Sequence, residues 1–342
     1  MVDPTLYSLD QLTAYENYIS LPSRFHSSAA SPTLSLEYLT ALHVHQIGRV
    51  PYENLTLHYS SHHSVSLDPQ VLFQKVVGDA RGRGGYCMEG SIFFNTVLRS
   101  LGFAVELRGV RIRPRVGGVP GGKFTGWVHI VNIVTLPDGS QYMLDVAFGG
   151  DGPTLPLPLN SSPCPPIFTN LGPQQIRLIH STTSPNLWES HKTKLSPQYT
   201  KPIPESDEKF WVYQYRNSEG MDWNTFYCFA SQSQFYPPDF AVVNHYTSTA
   251  INDANFQTRT IIVVRFLISD DGGSDDVGKI VGKIMLINGV VKRNDGGRTQ
   301  VVKVCKNEGE RIDALVEWCD IKLTEEEVSG IGGSLGKVEL VE

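Results

Sequence analysis

Cys87 stands directly after Gly84, Gly85 and Tyr86, and just before the apolar stretch Ser91-Ile92-Phe93-Phe94-Asn95-Thr96-Val97-Leu98. That stretch reads as a buried helix. Glycines ahead of a helix allow a tight turn and leave its first amides unpaired. A thiol placed there feels the positive end of the helix dipole, which lowers its pKa and favours the thiolate. A thiolate nucleophile works with a base, and the base with an acceptor that orients it. His129 and Asp145 are the candidates for those two roles, 16 residues apart and each flanked by apolar residues. Taken singly, each has a plainer reading: the thiol as a small buried group, the histidine as a half-exposed strand residue, the aspartate as a cap or turn. Asp145 is the least ordinary, because aspartate is depleted inside strands and a buried carboxylate needs a partner.

The elements that must hold these groups can be read from periodicity. Residues 1–102 read as helical. Leu34, Tyr38, Leu39 and Leu42 have helical spacing, with Thr33 as the N-cap. Pro51 ends that helix and pushes Val50 extended. A short helix over Pro69 to Val77 leads to the cysteine loop, and a helix from about Ser91 to Ser100 stops at Gly102. Residues 103–230 change to period two. Val105 to Arg113 alternates, and Trp127 to Val134 returns through the Pro137-Asp138-Gly139-Ser140 turn into Tyr142 to Phe148. This antiparallel hairpin places His129 and Asp145 mid-strand, where they can sit side by side. Residues 151–173 form a proline-rich loop, with further strands at 176–179 and 210–215. Residues 231–342 are mixed: a strand over 258–267, an acidic glycine loop over 269–276, a hairpin over 279–291 and a helix opened by the capping-box spacing Thr324 to Glu327.

Composition excludes several function classes. Hydrophobic residues make up 40% of the 342, enough for a sizeable core, and the net charge is −6. A nucleic-acid surface needs a basic field, so none is expected. The five cysteines have no CxxC pair and no metal-ligand spacing, so no metal is expected. An odd cysteine count with no secretory leader fits a reducing, cytoplasmic setting. No apolar run reaches the ~18 residues of a membrane span.

The order Cys, His, Asp is also that of papain-like proteases, so order alone does not select a reaction. The local words do. Arg83-Gly84-Gly85-Tyr86-Cys87-Met88-Glu89 resembles the RGG-aromatic-Cys signature of the arylamine N-acetyltransferases, and Pro51-Tyr52-Glu53-Asn54-Leu55 resembles their PFENL segment. Thr125-Gly126-Trp127-Val128-His129 and Asp145-Val146-Ala147-Phe148-Gly149 look like the family's His and Asp segments. Residues 239–249 and 323–328 look like its third-domain segments.

The resemblance implies an α+β protein of three domains with a cysteine-protease-like triad. These are a helical bundle over 1–102 carrying Cys87, an antiparallel β-barrel over 103–230 carrying His129 and Asp145, and an α/β lid over 231–342. It implies ping-pong transfer from acetyl-, malonyl- or propionyl-coenzyme A, as co-substrate, to an arylamine or arylhydrazine through a Cys87 thioester. No permanently bound cofactor, membrane or obligate protein partner is expected. By the same resemblance Thr125, Gly126, Tyr246, Ser248 and Thr249 contact coenzyme A. Val128, Phe148 and Tyr52 line the acyl or amine pocket. Glu53 and Arg83 form a buried bidentate ion pair that fixes the cysteine loop.

The sequence departs from the family in three respects. Gly90-Ser91 replaces bulkier polar residues, which is expected to widen the site. Arg108, Arg111, Arg113 and Arg115 crowd one strand and its loop. They read as a solvated face, or as a group one member of which reaches coenzyme A phosphates or a carboxylated acyl group. Surplus length falls in the 151–173, 186–208 and 269–278 loops, a pattern that looks fungal. Two other readings stay open: a Cys-His-Asp hydrolase or transglutaminase-like enzyme, and a catalytically silent binding module.

Overall fold

The structure, a computed structural model, describes residues 6–28, 32–116, 118–181, 209–252, 255–269 and 277–333. The expected loop over 186–208 and, but for Ser269, that over 269–276 lie outside the described residues.

Four helices build the N-terminal third. α1 (Leu9–Tyr18) opens with a Ser8–Gln11 capping box. α2 (Leu36–Arg49) is capped by Ser35, whose hydroxyl accepts from the Tyr38 amide, rather than by the expected Thr33. It stops where Val50 turns extended before Pro51. The strand β1 (Tyr52–Glu53) follows. α3 (Pro69–Phe73) has Asp68 as its cap and runs on into a π-helical turn over Gln74–Gly78. α4 (Cys87–Ser100) begins four residues before the expected Ser91, so Cys87 is its first residue, and every residue from Cys87 to Leu98 is buried. Gly102 closes it with φ +95°, a left-handed conformation that favours glycine.

The middle of the chain forms β2 (Ala104–Ile112), the small ribbon β3 (Arg115–Val116) and β4 (Val119–Pro120), β5 (Trp127–Thr135), β6 (Gln141–Leu144), β7 (Leu157–Pro158), β8 (Phe168–Thr169), β9 (Gln175–Ser181), β10 (Phe210–Arg216) and β11 (Asn224–Ala230). Eight of them make one antiparallel sheet in the order β7-β6-β5-β2-β11-β10-β9-β8. The expected barrel is an open, curled half-barrel: its end strands β7 and β8 are not paired with each other among the described residues. Each end strand has only two residues, and Pro158 offers no N–H to a ladder. In β2 and β5, Val110 lies opposite His129. α4 packs across these two strands.

Beyond the sheet come α5 (Pro237–Thr249), β12 (Ile262–Ile268), β13 (Ile280–Ile287), β14 (Val290–Asn294), β15 (Gln300–Val304), α6 (Glu308–Cys319) and α7 (Glu325–Gly330). A second sheet runs β1-β12-β13-β14-β15. β1 is therefore shared property: it follows α2 in sequence, yet Tyr52 and Glu53 pair with Val264 and Val263. Among the described residues, no helix is long and apolar enough to cross a membrane.

Candidate active site

The loop before Cys87 is laid against β1. Glu53 N donates to Gly85 O at 3.1 Å and Gly85 N to Pro51 O at 3.3 Å. A Cβ on Gly84 would lie 1.9 Å from the Pro51 carbonyl oxygen, so only glycine permits this approach. Glu53 is buried beneath the loop, with Oε1 accepting from Gly84 N at 3.3 Å and Oε2 from Leu55 N at 2.6 Å.

The expected bidentate Arg83–Glu53 pair is instead a fan. Arg83 Nε donates to Glu53 Oε1 at 3.0 Å, while one terminal nitrogen reaches Glu327 of α7 and the other Thr56 Oγ1 at 3.1 Å. Lys75 adds a second cation, 2.7 Å from Glu89 and 3.3 Å from Glu53. Arg83 and Lys75 share Glu53 Oε1, while Oε2 is taken by the Leu55 amide, so no second oxygen is left for a two-point grip on Arg83. Burial by itself would raise the Glu53 carboxyl, but the charges of Arg83 and Lys75 outweigh it and hold it down to about 2. Glu89 accepts from the Tyr86 amide at 3.2 Å and so anchors the first turn of α4.

Cys87 is 5% exposed, and its sulfur approaches the Val128 carbonyl at 3.8 Å, one residue before His129. Its thiol is pushed up, first by burial and then by the charge of Asp145, against the opposing pull of the Met88 and Cys87 amides. Desolvation of the buried thiol thus outweighs the amides at the helix start. His129 Nε2 bonds Asp145 Oδ2 at 2.8 Å, with both side chains buried. Phe148 and Tyr227 hold the imidazole, their ring centroids 5.0 and 5.7 Å from its own. Asp145 is not mid-strand as expected. β6 ends at Leu144, and the Asp145 carboxylate accepts from the Ala147 amide at 3.2 Å, a local bond that competes with the sheet ladder.

Cys87 and His129 line one cavity of about 390 Å³. Tyr52, Thr125, Gly126, Val128, Phe148 and Tyr246 line it too, as do Ile112, Trp127, Ala147, Thr247 and residues 255–257, none of which the sequence had singled out for the site. Gln257 and its neighbours carry no local signal, because only the fold brings a turn 170 residues downstream of Cys87 to the same wall. Ser248 and Thr249 lie outside the lining, their hydroxyls bonded to the Asn244 and His245 carbonyls of α5 at 2.6 and 2.5 Å. Gly90 and Ser91 do not line the cavity either. A Cβ on Gly90 would meet that of Ala147 at 2.9 Å, so glycine serves close packing of α4 there.

None of the four strand arginines lines the cavity. Arg108 pairs with Glu106 and Arg115 with Asp151, and Arg113 bonds the Gly122 carbonyl. The Arg111 guanidinium lies 4.0 Å over the Trp127 ring and bonds Thr125 O.

A family model described as N-acetyltransferase matches residues 35–272. The chain is 34% identical over 349 residues to N-malonyltransferase FDB2 of Fusarium pseudograminearum (strain CS3096), covering 96% of this chain and 93% of that protein. Its fold is that of Nocardia farcinica arylamine N-acetyltransferase, with a TM-score of 0.70 at 24% identity, covering 99% of this chain and all of that one. It is also that of Mycobacterium marinum arylamine N-acetyltransferase solved in complex with CoA, with a TM-score of 0.66 at 22% identity over 94% of each chain. The chain belongs to the arylamine N-acetyltransferase family. It is an N-acyltransferase.

Proposed function

We propose that the protein moves an acyl group from acyl-coenzyme A to an aromatic amine or hydrazine through a thioester on Cys87. One observation carries this reading: a cysteine at a helix start and a histidine bonded to a buried aspartate line the same cavity. A carboxylate only accepts, so the His129 Nε2–H donates to Asp145 and Nδ1 keeps its lone pair for the thiol proton. Burial disfavours an isolated thiolate, and the charge is instead formed as a Cys87–His129 ion pair.

The Cys87 sulfur attacks the thioester carbonyl of the donor, coenzyme A leaves as its thiolate, and the imidazolium proton passes to it. The amine then attacks the Cys87 thioester and gives a proton to His129, and the amide departs as the Cys87 sulfur is released. The first-turn amides of α4, which have no partner within the helix, suit the tetrahedral oxyanion. Thr125, Gly126 and the 44%-exposed Tyr246 sit where the cavity meets solvent and are assigned to coenzyme A. Val128, Phe148 and Tyr52 are assigned to the acyl and amine groups, where aromatic walls suit a flat acceptor.

The M. marinum complex supports coenzyme A as co-substrate, and the name of the Fusarium relative supports malonyl beside acetyl as the acyl group. Initial rates with both substrates varied test the route. Parallel double-reciprocal lines are expected, and lines converging on a ternary complex would overturn the thioester intermediate.

A further inference from the structure

Tyr52 stands where the family's PFENL segment has phenylalanine, and the acyl-transfer steps make no use of its hydroxyl. We propose that this hydroxyl donates a hydrogen bond to the terminal carboxylate of a malonyl group carried on Cys87, and so sets the donor preference. This deepens the transferase reading and rests on it.

Gln257 Nε2 donates to the Tyr52 oxygen at 2.6 Å. The Gln257 amide is itself turned that way because its Oε1 accepts from Asn54 Nδ2 at 3.3 Å. Tyr52 therefore accepts from Gln257, and its own O–H must point elsewhere. Among the described residues it has no acceptor. Tyr52 is 8% exposed and lines the cavity with Cys87, so the hydroxyl proton is a buried donor beside the acyl site. Buried donors are normally paired, and bound substrate supplies the partner.

The Thr125 hydroxyl donates to Gly126 O, the Asn255 amide to Thr247 O and Ala250 O, and His129 Nε2 to Asp145. No lysine or arginine lines the cavity among the described residues. A carboxylate that leaves water for this space needs donors, and an O–H to a charged oxygen is a strong one. The Thr247 hydroxyl donates to Val243 O, and the Tyr246 hydroxyl belongs to a 44%-exposed side chain assigned to coenzyme A. The amides at the start of α4 serve the thioester oxygen, so Tyr52 is the buried hydroxyl left for the far carboxylate.

The test compares wild type with Tyr52→Phe, measuring kcat/KM for malonyl- and acetyl-coenzyme A with one arylamine. The malonyl-to-acetyl ratio is expected to fall about 10- to 100-fold, the scale of one charge-assisted hydrogen bond. The double variant Tyr52→Phe with Gln257→Leu removes both partners of the 2.6 Å bond, leaves no buried amide unmatched, and is expected to show the same fall. An unchanged ratio overturns the proposal, whether both donors slow together, as an oxyanion donor would require, or neither changes. A wild-type adduct on Cys87 from acetyl- but not malonyl-coenzyme A also overturns it while sparing the transferase reading. No adduct from either donor overturns the transferase reading itself.

Discussion

His129 and Asp145 are joined by one hydrogen bond, Nε2 to Oδ2 at 2.8 Å, at a point where the two side chains are 3% and 0% exposed. The bond fixes both the ring plane and the tautomer. Asp145→Asn offers a group that can donate as well as accept, so Nδ1 is no longer reliably the free base. The variant is expected to lose on the order of 10²–10⁴ in kcat while its KM for acyl-coenzyme A changes little. Steady-state kinetics on the folded variant check this, and a kcat within threefold of wild type would detach Asp145 from the chemistry.

Arg83→Ala leaves Glu53 buried with Lys75, at 3.3 Å, as its remaining cation. The expected loss of stability is about 3 kcal/mol, the lower end of the range for a broken buried pair. Glu327→Gln, at a carboxylate 20% exposed, is expected to lose only about 1 kcal/mol. Urea titration of the two variants checks the ranking, and an Arg83→Ala protein as stable as wild type would contradict it.

Much of this site is legible in the sequence where local physics decides the outcome. The β5–β6 hairpin follows from two apolar-rich runs joined by a Pro-Asp-Gly turn, and α4 from the mostly apolar stretch Ser91 to Leu98 behind two glycines. The expected strand over Tyr142 to Phe148 overruns the end of β6 at Leu144 because apolar residues continue through Val146 to Phe148, and the bond from the Ala147 amide to the Asp145 side chain that ends the strand is invisible in a pattern. Neither α5 nor α6 is among the helices expected from the sequence. In α5 apolar Val242 is 73% exposed, so no amphipathic stripe announces it, and α6 opens on a polar first turn, Glu308 to Arg311. Residues 255–257 reach the cavity, and Glu327 reaches Arg83, only through the tertiary fold. No spacing rule joins positions that far apart.

Acid should weaken the fold through two buried histidines. Burial lowers His43 and His58 from 6.5 to about 4, outweighing the carbonyls of Pro153 and Gln257 that each Nε2 bonds. The unfolded chain takes up these protons near 6.5 and the folded one only near 4. Stability therefore falls as pH drops through that window, by ~1.4 kcal/mol per pH unit for each histidine. His58→Gln is expected to flatten the slope of unfolding free energy between pH 6.5 and 4.5. A slope identical to wild type would contradict the burial argument for that residue.

Because burial pushes the Cys87 thiol up, its reactivity at neutral pH depends on His129 taking the proton. Wild type is expected to react with iodoacetamide at Cys87 near pH 7, and His129→Gln to react only well into the alkaline range. Equal rates for the two proteins across pH 6 to 9 would show that the thiol is activated some other way.

The most direct measurement is intact-protein mass after brief mixing with acetyl- or malonyl-coenzyme A in the absence of any amine, for wild type and Cys87→Ala. A single acyl adduct on wild type, absent from Cys87→Ala and discharged when an arylamine is added, is the predicted result. An alkylatable Cys87 that takes no acyl group from either donor, or an adduct that survives Cys87→Ala, would contradict the thioester route.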